Sequence, residues 1–265
     1  MKWSTRILLF LLVVVIAGML ASNIILRNEY KSVDKKNDRY WNYGKILDQP
    51  FKYLKIDGGN STQIAFEQSP NCSVRVWHTW QRVRPNPIKA FVNNDTLYIQ
   101  FTYQASDPGE QNWMKWNTLV RIFSPVLLSV VGNNTNFEMF KLKQANISVN
   151  MTGKSKFEVE SFVPDLDSIN VTQKDSSEVV FEMSPEYTKA NIGNTKSKKV
   201  IQVAPSVSNE LASNEAMTIQ SLRANLQGNT ILDVGHAQIR SLILNVTDSS
   251  AIVLSGCGLR RFCQQ

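Results

Sequence analysis

Residues 221–234 and 241–254 carry the same pattern twenty residues apart, and this repeat narrows the folds open to the chain more than any other feature. Leu222, Ala224, Leu226, Leu232 and Val234 stand in register with Leu242, Leu244, Val246, Ile252 and Leu254. Within each copy apolar residues alternate with polar ones, the period of a strand with one buried face. The turns Gln227-Gly228-Asn229-Thr230 and Thr247-Asp248-Ser249-Ser250 cut each copy into two short strands. A unit of about twenty residues cannot bury its own apolar face, so it must stack on its neighbours. The expectation is an all-β chain folded as a β-solenoid, a β-helix-like stack of roughly 20-residue rungs. Leucine-rich repeats are the nearest rival, because Ala224-x-Leu226-x-x-Asn229-x-Ile231 partly matches their pattern. They need a helical return arm, whereas Leu232 and Val234 continue the strand alternation.

Earlier segments extend the pattern. Val149 and Met151 recur as Ile169 and Val171 after twenty residues, and Phe157 and Val159 as Val179 and Phe181 after twenty-two. The extra two residues are placed in one turn, where an insertion leaves stacked strands undisturbed. On that phase Met151, Val171, Leu226 and Val246 are expected to form one inward column. Upstream, strands are read at 51–57, 62–67 and 72–76, the last prolonged as an edge by residues 77–80. Residues 90–92 lead through Asn93-Asn94-Asp95 into a strand at 97–101. The pattern weakens over 186–216, where 200–203 is a strand candidate and 206–216 a loop or short helical turn.

Residues 7–26 form an uncharged run of twenty, long enough at 1.5 Å per residue to cross a hydrocarbon core of about 30 Å. Met19 and Ala21 make a poor cleavage site, and no cysteine follows, so the run reads as an uncleaved transmembrane signal anchor with the lipid bilayer as its partner. The expected organisation is a short tail at 1–6, the anchor at 7–26, a stalk at 27–48 and a solenoid domain at 49–265. Lys2 and Arg6 before the span are matched by Arg27, Lys31, Lys35 and Lys36 after it, so charge alone does not orient it. The short tail and the Asn-, Ser- and Thr-rich strands put the N-terminus in the cytoplasm and the domain in the periplasm or at the cell exterior.

Composition excludes some functions. With 43% hydrophobic and 19% charged residues the chain is not a disordered protein. The net charge of +7 is scattered, and no basic cluster carries the stacking aromatics of a nucleic-acid reader, so no nucleic acid is expected as partner. Three cysteines are too few for a disulfide scaffold. Cys257 and Cys263 are spaced to close a small loop as a candidate disulfide, and Cys72 reads as a buried thiol.

The order aromatic-x-x-Leu54-x-Ile56-x-Gly58, Ile64-x-Phe66-x-Gln68, Ser73-Val74-x-Val76, Asn94-Asp95-Thr96-Leu97-x-Ile99, Val120-Arg121-Ile122-Phe123-Ser124-Pro125 and Val131-Gly132-Asn133-Asn134 resembles the auto-transporter adhesin head GIN domain family, over about 48–256. Asn, Thr, Lys and Ser stand where that family has Ser-Gly turns, as at 152–155 and 172–175. The resemblance implies an extracytoplasmic β-solenoid of the kind common in Bacteroidetes, and it carries over no catalytic residue.

The chemistry-bearing residues are sparse. His78 and His236 have no acidic residue at ligand spacing, and nucleotide and α/β-hydrolase motifs are absent from the sequence. Asp165 and Asp167 straddle Leu166 in what reads as an Asp-rich turn. Eight Asn-x-Ser/Thr triplets occur, and the Asn and Thr content of strand-turn junctions accounts for them. The most suggestive stretch is 104–117, where Trp113 and Trp116 flank Lys115 as a candidate binding surface for a glycan or an envelope protein. Its alternative is a tryptophan folded back as a lid. The expected function is therefore non-catalytic and cofactor-free: a membrane-anchored surface for adhesion or binding. A carbohydrate-active β-helix enzyme and a self-assembling envelope protein are the alternatives.

Overall fold

The computed structural model describes residues 3–32, 38–140, 144–160, 166–182, 218–235, 237–247 and 249–254. It divides into two compact units, Met1–Tyr43 and Gly44–Gln265. The first contains α1 (Trp3–Ser32), whose apolar residues surround the helix and lie exposed. Its stretch Trp3–Asn28 has a mean hydropathy of 2.7 and is long and apolar enough to cross a membrane, a property shared by anchors and signal sequences.

The second unit is built from two sheets. Nine strands form one, in spatial order β1 (Tyr43–Leu47), β4 (Ser73–Trp77), β7 (Thr118–Ser124), β3 (Gln63–Gln68), β9 (Asn136–Phe140), β11 (Lys156–Glu160), β13 (Glu178–Glu182), β15 (Ile231–Asp233) and β17 (Ala251–Val253). Eight form the other: β16 (Gln238–Val246), β14 (Thr218–Leu226), β12 (Leu166–Gln173), β10 (Asn146–Thr152), β8 (Ser129–Asn133), β2 (Tyr53–Asp57), β6 (Thr96–Phe101) and β5 (Ile88–Asn93). The inward side chains of both sheets, among them Leu54, Ile56, Ile64, Phe66, Phe157 and Leu226, share one core. The twenty-residue repeat is cross-strand register, with Leu222 opposite Leu242, Ala224 opposite Leu244 and Leu226 opposite Val246.

The expected β-solenoid is corrected by this arrangement. The strands lie in two open, mixed sheets and not in a closed coil: β4 runs antiparallel to β7, and β5 antiparallel to β6. Spatial order also departs from chain order, since β2 lies between β6 and β8, and β3 between β7 and β9. One cause is local: Asn94 and Asp95 both adopt positive φ, 47° and 56°, the geometry of a tight hairpin turn, and reverse the chain between β5 and β6. Alternation tells which side chain points inward; it does not encode strand direction or partner.

Register is corrected too. β10 and β12 pair with a twenty-two-residue offset, Val149 opposite Val171 and Met151 opposite Gln173. The inward column is Met151, Gln173, Leu226 and Val246, while Val171 belongs to the next one with Val149, Ala224 and Leu244. Gln173 is fully buried and donates from Nε2 to the carbonyls of Ser177 and Ile231, both at 3.0 Å. A polar residue in an apolar column disguised the offset. Residues 77–80 also differ from expectation: β4 stops at Trp77 and α2 (His78–Val83) follows, with Trp80 buried against Phe101.

Thr62, Thr135, Ser155, Ser177 and Thr230, each one residue ahead of a strand in the nine-stranded sheet, are all buried. Four of the hydroxyls bond neighbouring segments: Thr62 donates to Asn117 O at 3.0 Å, Ser155 Oγ accepts from Thr135 N at 3.1 Å and donates to Thr152 O at 2.6 Å, Ser177 donates to Met151 O at 3.3 Å, and Thr230 bonds Ser250 at 3.0 Å. Buried corners of a stack need such partners for their backbone groups.

Candidate functional site

The insert between β6 and β7 folds around α3 (Pro108–Lys115). Asp107 caps it, accepting from Glu110 N at 2.8 Å, and Pro108 fits the first turn, where no amide donor is required. Met114 is fully buried and ties the helix to the core. Arg84, just after α2, holds the outer side: its Nε and Nη2 donate to the two carboxylate oxygens of Glu110 at 3.2 and 3.1 Å. Tyr103 donates its hydroxyl to the same carboxylate at 2.5 Å, and the Arg84 guanidinium lies 4.7 Å from the Tyr103 ring centre. The Arg84 hydrogen bond, and after it that of Tyr103, holds Glu110 below the usual carboxylate range. The Glu110 bond raises Tyr103, because ionised phenol would lose it, and raises Arg84 as well.

A cleft of about 590 Å³ lies between α3 and the turn Gly58-Gly59-Asn60-Ser61. Gly58 and Gly59 have φ of 87° and 89°, and a Cβ on Gly59 would come within 2.6 Å of the Phe101 ring. The glycine pair thus lets the turn bend and lie flat on Phe101. Asn60, Gln104, Gln111, Asn112 and Asn134 bring carboxamides to the cleft, Ser61 and Tyr103 bring hydroxyls, and Lys115 is the sole charged side chain in its lining. Part of this capacity is used within the protein, since Gln111 Nε2 donates to Ala105 O at 2.8 Å, Asn112 Oδ1 and Asn134 Oδ1 accept from Trp116 Nε1 and Lys154 N, and the Tyr103 hydroxyl donates to Glu110; the remaining donors and acceptors are of the kind that pairs with hydroxyl groups.

The expected binding surface is brought together only in part. Lys115 lines the cleft. Trp116 is 78% exposed at its rim, its Nε1 donating to Asn112 Oδ1 at 3.2 Å. Trp113 turns the other way and stacks on Trp77, with ring centres 5.3 Å apart and planes 16° from parallel. Sequence reading missed Trp77 and Arg84, which come from another part of the chain, and missed the carboxamides of the cleft. Asp107-Pro108-x-Glu110 is the local signal that would have located the helix.

The remaining candidates are dispersed. His78 is exposed at the start of α2, and Asp167 is exposed in β12. Cys72 is half-buried with Sγ 3.6 Å from Ser124 Oγ. His236, Asp165, Cys257 and Cys263, with the strand candidate at 200–203 and the loop at 206–216, lie outside the described residues. Among the described residues no group of three or more His, Cys, Asp or Glu is placed to hold a metal ion. Asn150-x-Thr152 and Asn170-x-Thr172 follow from the pleat, which sends residues two apart to the same face of a strand.

No family model matches the chain, and no curated protein matches it. Among solved structures, a Bacteroides fragilis protein called a "putative adhesin" is similar at 10% identity, covering 80% of this chain and 95% of that one, with a TM-score of 0.38. A "putative lipid binding protein" from Parabacteroides distasonis matches at 11% identity over the same shares, with a TM-score of 0.33. A "putative adhesin" from Parabacteroides merdae matches at 14% identity, again over 80% and 95%, with a TM-score of 0.28.

Proposed function

We propose that the chain is a membrane-anchored, non-catalytic binding module of the head GIN adhesin kind, whose cleft beside α3 takes a glycan. The observation that carries this reading is the lining of the cleft: carboxamides and hydroxyls with a single charge, and an exposed indole at the rim. Sugar hydroxyls pair with such groups, and a sugar ring's apolar face packs on an indole. The cleft lining contains no carboxylate, so the acid and base pair of a glycosidase is not assembled there. In this reading α1 holds the chain in the bilayer with the N-terminus in the cytoplasm and the two sheets outside it.

The full chain in detergent, titrated calorimetrically with a panel of neutral oligosaccharides, is the test. At least one should bind, and Trp116→Ala and Asn112→Ala should each weaken that binding about tenfold, or about 1.4 kcal/mol, without lowering Tm. Absence of binding across the panel, or binding that ignores both substitutions, would reject the glycan. Capture of an envelope protein through the same residues would reassign the surface to a protein partner.

A further inference from the structure

Resting on the reading of the cleft as a glycan site, we infer that it selects an acidic glycan, one that sets a carboxylate or sulfate group against Lys115. Four residues of α3 line the cleft: Pro108, Gln111, Asn112 and Lys115. Their offsets of three, four and seven residues are those of a single helix face. Met114, the residue before Lys115, is buried in the core on another face. The phase of the helix therefore carries Lys115 into the cleft. A cation at the C-terminal end of a helix can also serve the last carbonyls. Here Asn117 serves them: its N–H donates to Met114 O at 3.1 Å, and its Nδ2 to Trp113 O at 2.6 Å. The Lys115 ammonium and its three donors are not required for that work.

Bonds within the protein fix what two asparagines of the cleft offer. Asn112 Oδ1 accepts from Trp116 Nε1 at 3.2 Å, and Asn134 Oδ1 accepts from Lys154 N at 3.0 Å. With those oxygens engaged, each asparagine offers a ligand chiefly Nδ2, a donor. Donors beside a cation suit an anionic group, whose oxygens only accept. Gln111 is fixed the other way round, its Nε2 donating to Ala105 O at 2.8 Å, so its Oε1 suits a sugar hydroxyl. The two carboxylates of the insert are committed elsewhere. Asp107 accepts from Glu110 N at 2.8 Å, and the Glu110 carboxylate accepts from Nε and Nη2 of Arg84 and from the Tyr103 hydroxyl. Arg84 thus answers the charge of Glu110, and the charge that lines the cleft is that of Lys115.

An ammonium is a compact point charge that donates to carboxylate and sulfate oxygens alike. A sugar ring bearing one such group matches both halves of the lining. Its hydroxyls and apolar face meet Gln111 and the Trp116 indole, and its anionic oxygens meet Lys115 and the asparagine amides. Trp116 follows Lys115 in the chain, and its bond to Asn112 holds the indole to the same helix. A neutral sugar of the same shape fills the cleft but leaves the ammonium hydrated, so the anionic group adds affinity and, above all, selectivity.

The test is calorimetric titration of the full chain in detergent with matched oligosaccharides: a neutral form, its uronate counterpart and its O-sulfated counterpart. An acidic form should bind about fivefold more tightly than the neutral one, and which form does so tells carboxylate from sulfate. Lys115→Gln should abolish that preference and Lys115→Glu should reverse it. Lys52→Gln removes the same charge at the far end of β2 from Gly58 and should leave the preference in place. Near-ultraviolet dichroism of the Trp77–Trp113 pair checks that each variant keeps α3 in place. Should the Lys115 variants fail to fold, the unmodified chain still decides. Its preference should shrink between about 0.01 M and about 1 M salt, as the reach of a charge contracts from roughly 30 Å to 3 Å. Equal affinity for neutral and acidic forms overturns this proposal and leaves the glycan reading standing. Failure of every form to bind rejects that reading and this proposal with it. A preference that survives Lys115→Gln, or one that salt does not touch, overturns the role of Lys115. A preference lost in Lys52→Gln as well assigns it to the overall charge of the chain and overturns the proposal too.

Discussion

Leu226 is sealed between Gln173 and Val246 in its column, and the next residue, Gln227, is half-buried with its side chain on the other face of the chain. Leu226→Ala should therefore cost about 2–5 kcal/mol and Gln227→Ala less than about 0.5, measured by urea denaturation. Two equally mild substitutions would remove the column. Gly132 stands in that column opposite Ile56 and Met151, and a Cβ there would lie 2.6 Å from both Met151 Sδ and Thr135 Cγ2. Met151 can swing away; the buried, branched Thr135 cannot. Gly132→Ala should cost roughly 1–3 kcal/mol through overpacking, a loss seen as a lower denaturation midpoint. Residues of the repeat were legible because alternation is a local property. Gln173 was not, since its Nε2 donates to carbonyls that only the folded stack brings near. The hydroxyl column was present in the sequence as a Ser or Thr before five strands of that sheet, but it reads as ordinary turn chemistry until the turns are stacked.

At the scale of the element, α3 is a short helix held by a cap, one buried methionine and the Arg84–Glu110–Tyr103 cluster, so its order should follow the charge of Glu110. With Glu110 held below the ordinary carboxylate value of about 4.3, its contribution is complete above that value and is lost as pH falls through the depressed native one. Tyr103, raised, contributes fully below the ordinary phenol value of about 10 and loses its contribution as pH rises through the raised one. The stacked Trp77–Trp113 pair reports on α3, so near-ultraviolet dichroism should hold between these limits and fall off in acid and in strong alkali. Glu110→Gln should flatten the acid limb; an unchanged limb would detach the cluster from α3. The insert itself was legible as a polar interruption between strands, and Lys115 lines the cleft. Its shape was not, because Arg84 and the glycine turn come from 26 residues or more away and only the β-strands between them set the distance.

For the whole molecule, the repeat announced stacked strands with one buried face, and both sheets keep that logic from β8 onward. What no periodicity carries is the order of the first strands: β2 and β3 are flanked by strands that appear later, and two reversals turn neighbouring strands antiparallel. Such choices depend on turn geometry and on which edge is free when a strand arrives, quantities that a single alternating segment does not contain. The core is nevertheless complete without the N-terminal unit, since it begins at Phe51 and contains no residue of α1 among the described residues. Removing residues 1–43 should then yield a soluble protein whose Tm lies within a few degrees of the full chain in detergent. Its far-ultraviolet spectrum should change in a defined way. Among the described residues α1 supplies thirty helical residues, against six in α2 and eight in α3, so the fragment should lose most of that helical signal and keep the strand signal. Since every strand pairing from β2 onward lies within 44–265, the cooperative unfolding transition should survive intact. A fragment that is insoluble, or that unfolds tens of degrees lower, would show that the N-terminal unit supplies part of the core and that the division at residue 43 is not a folding boundary.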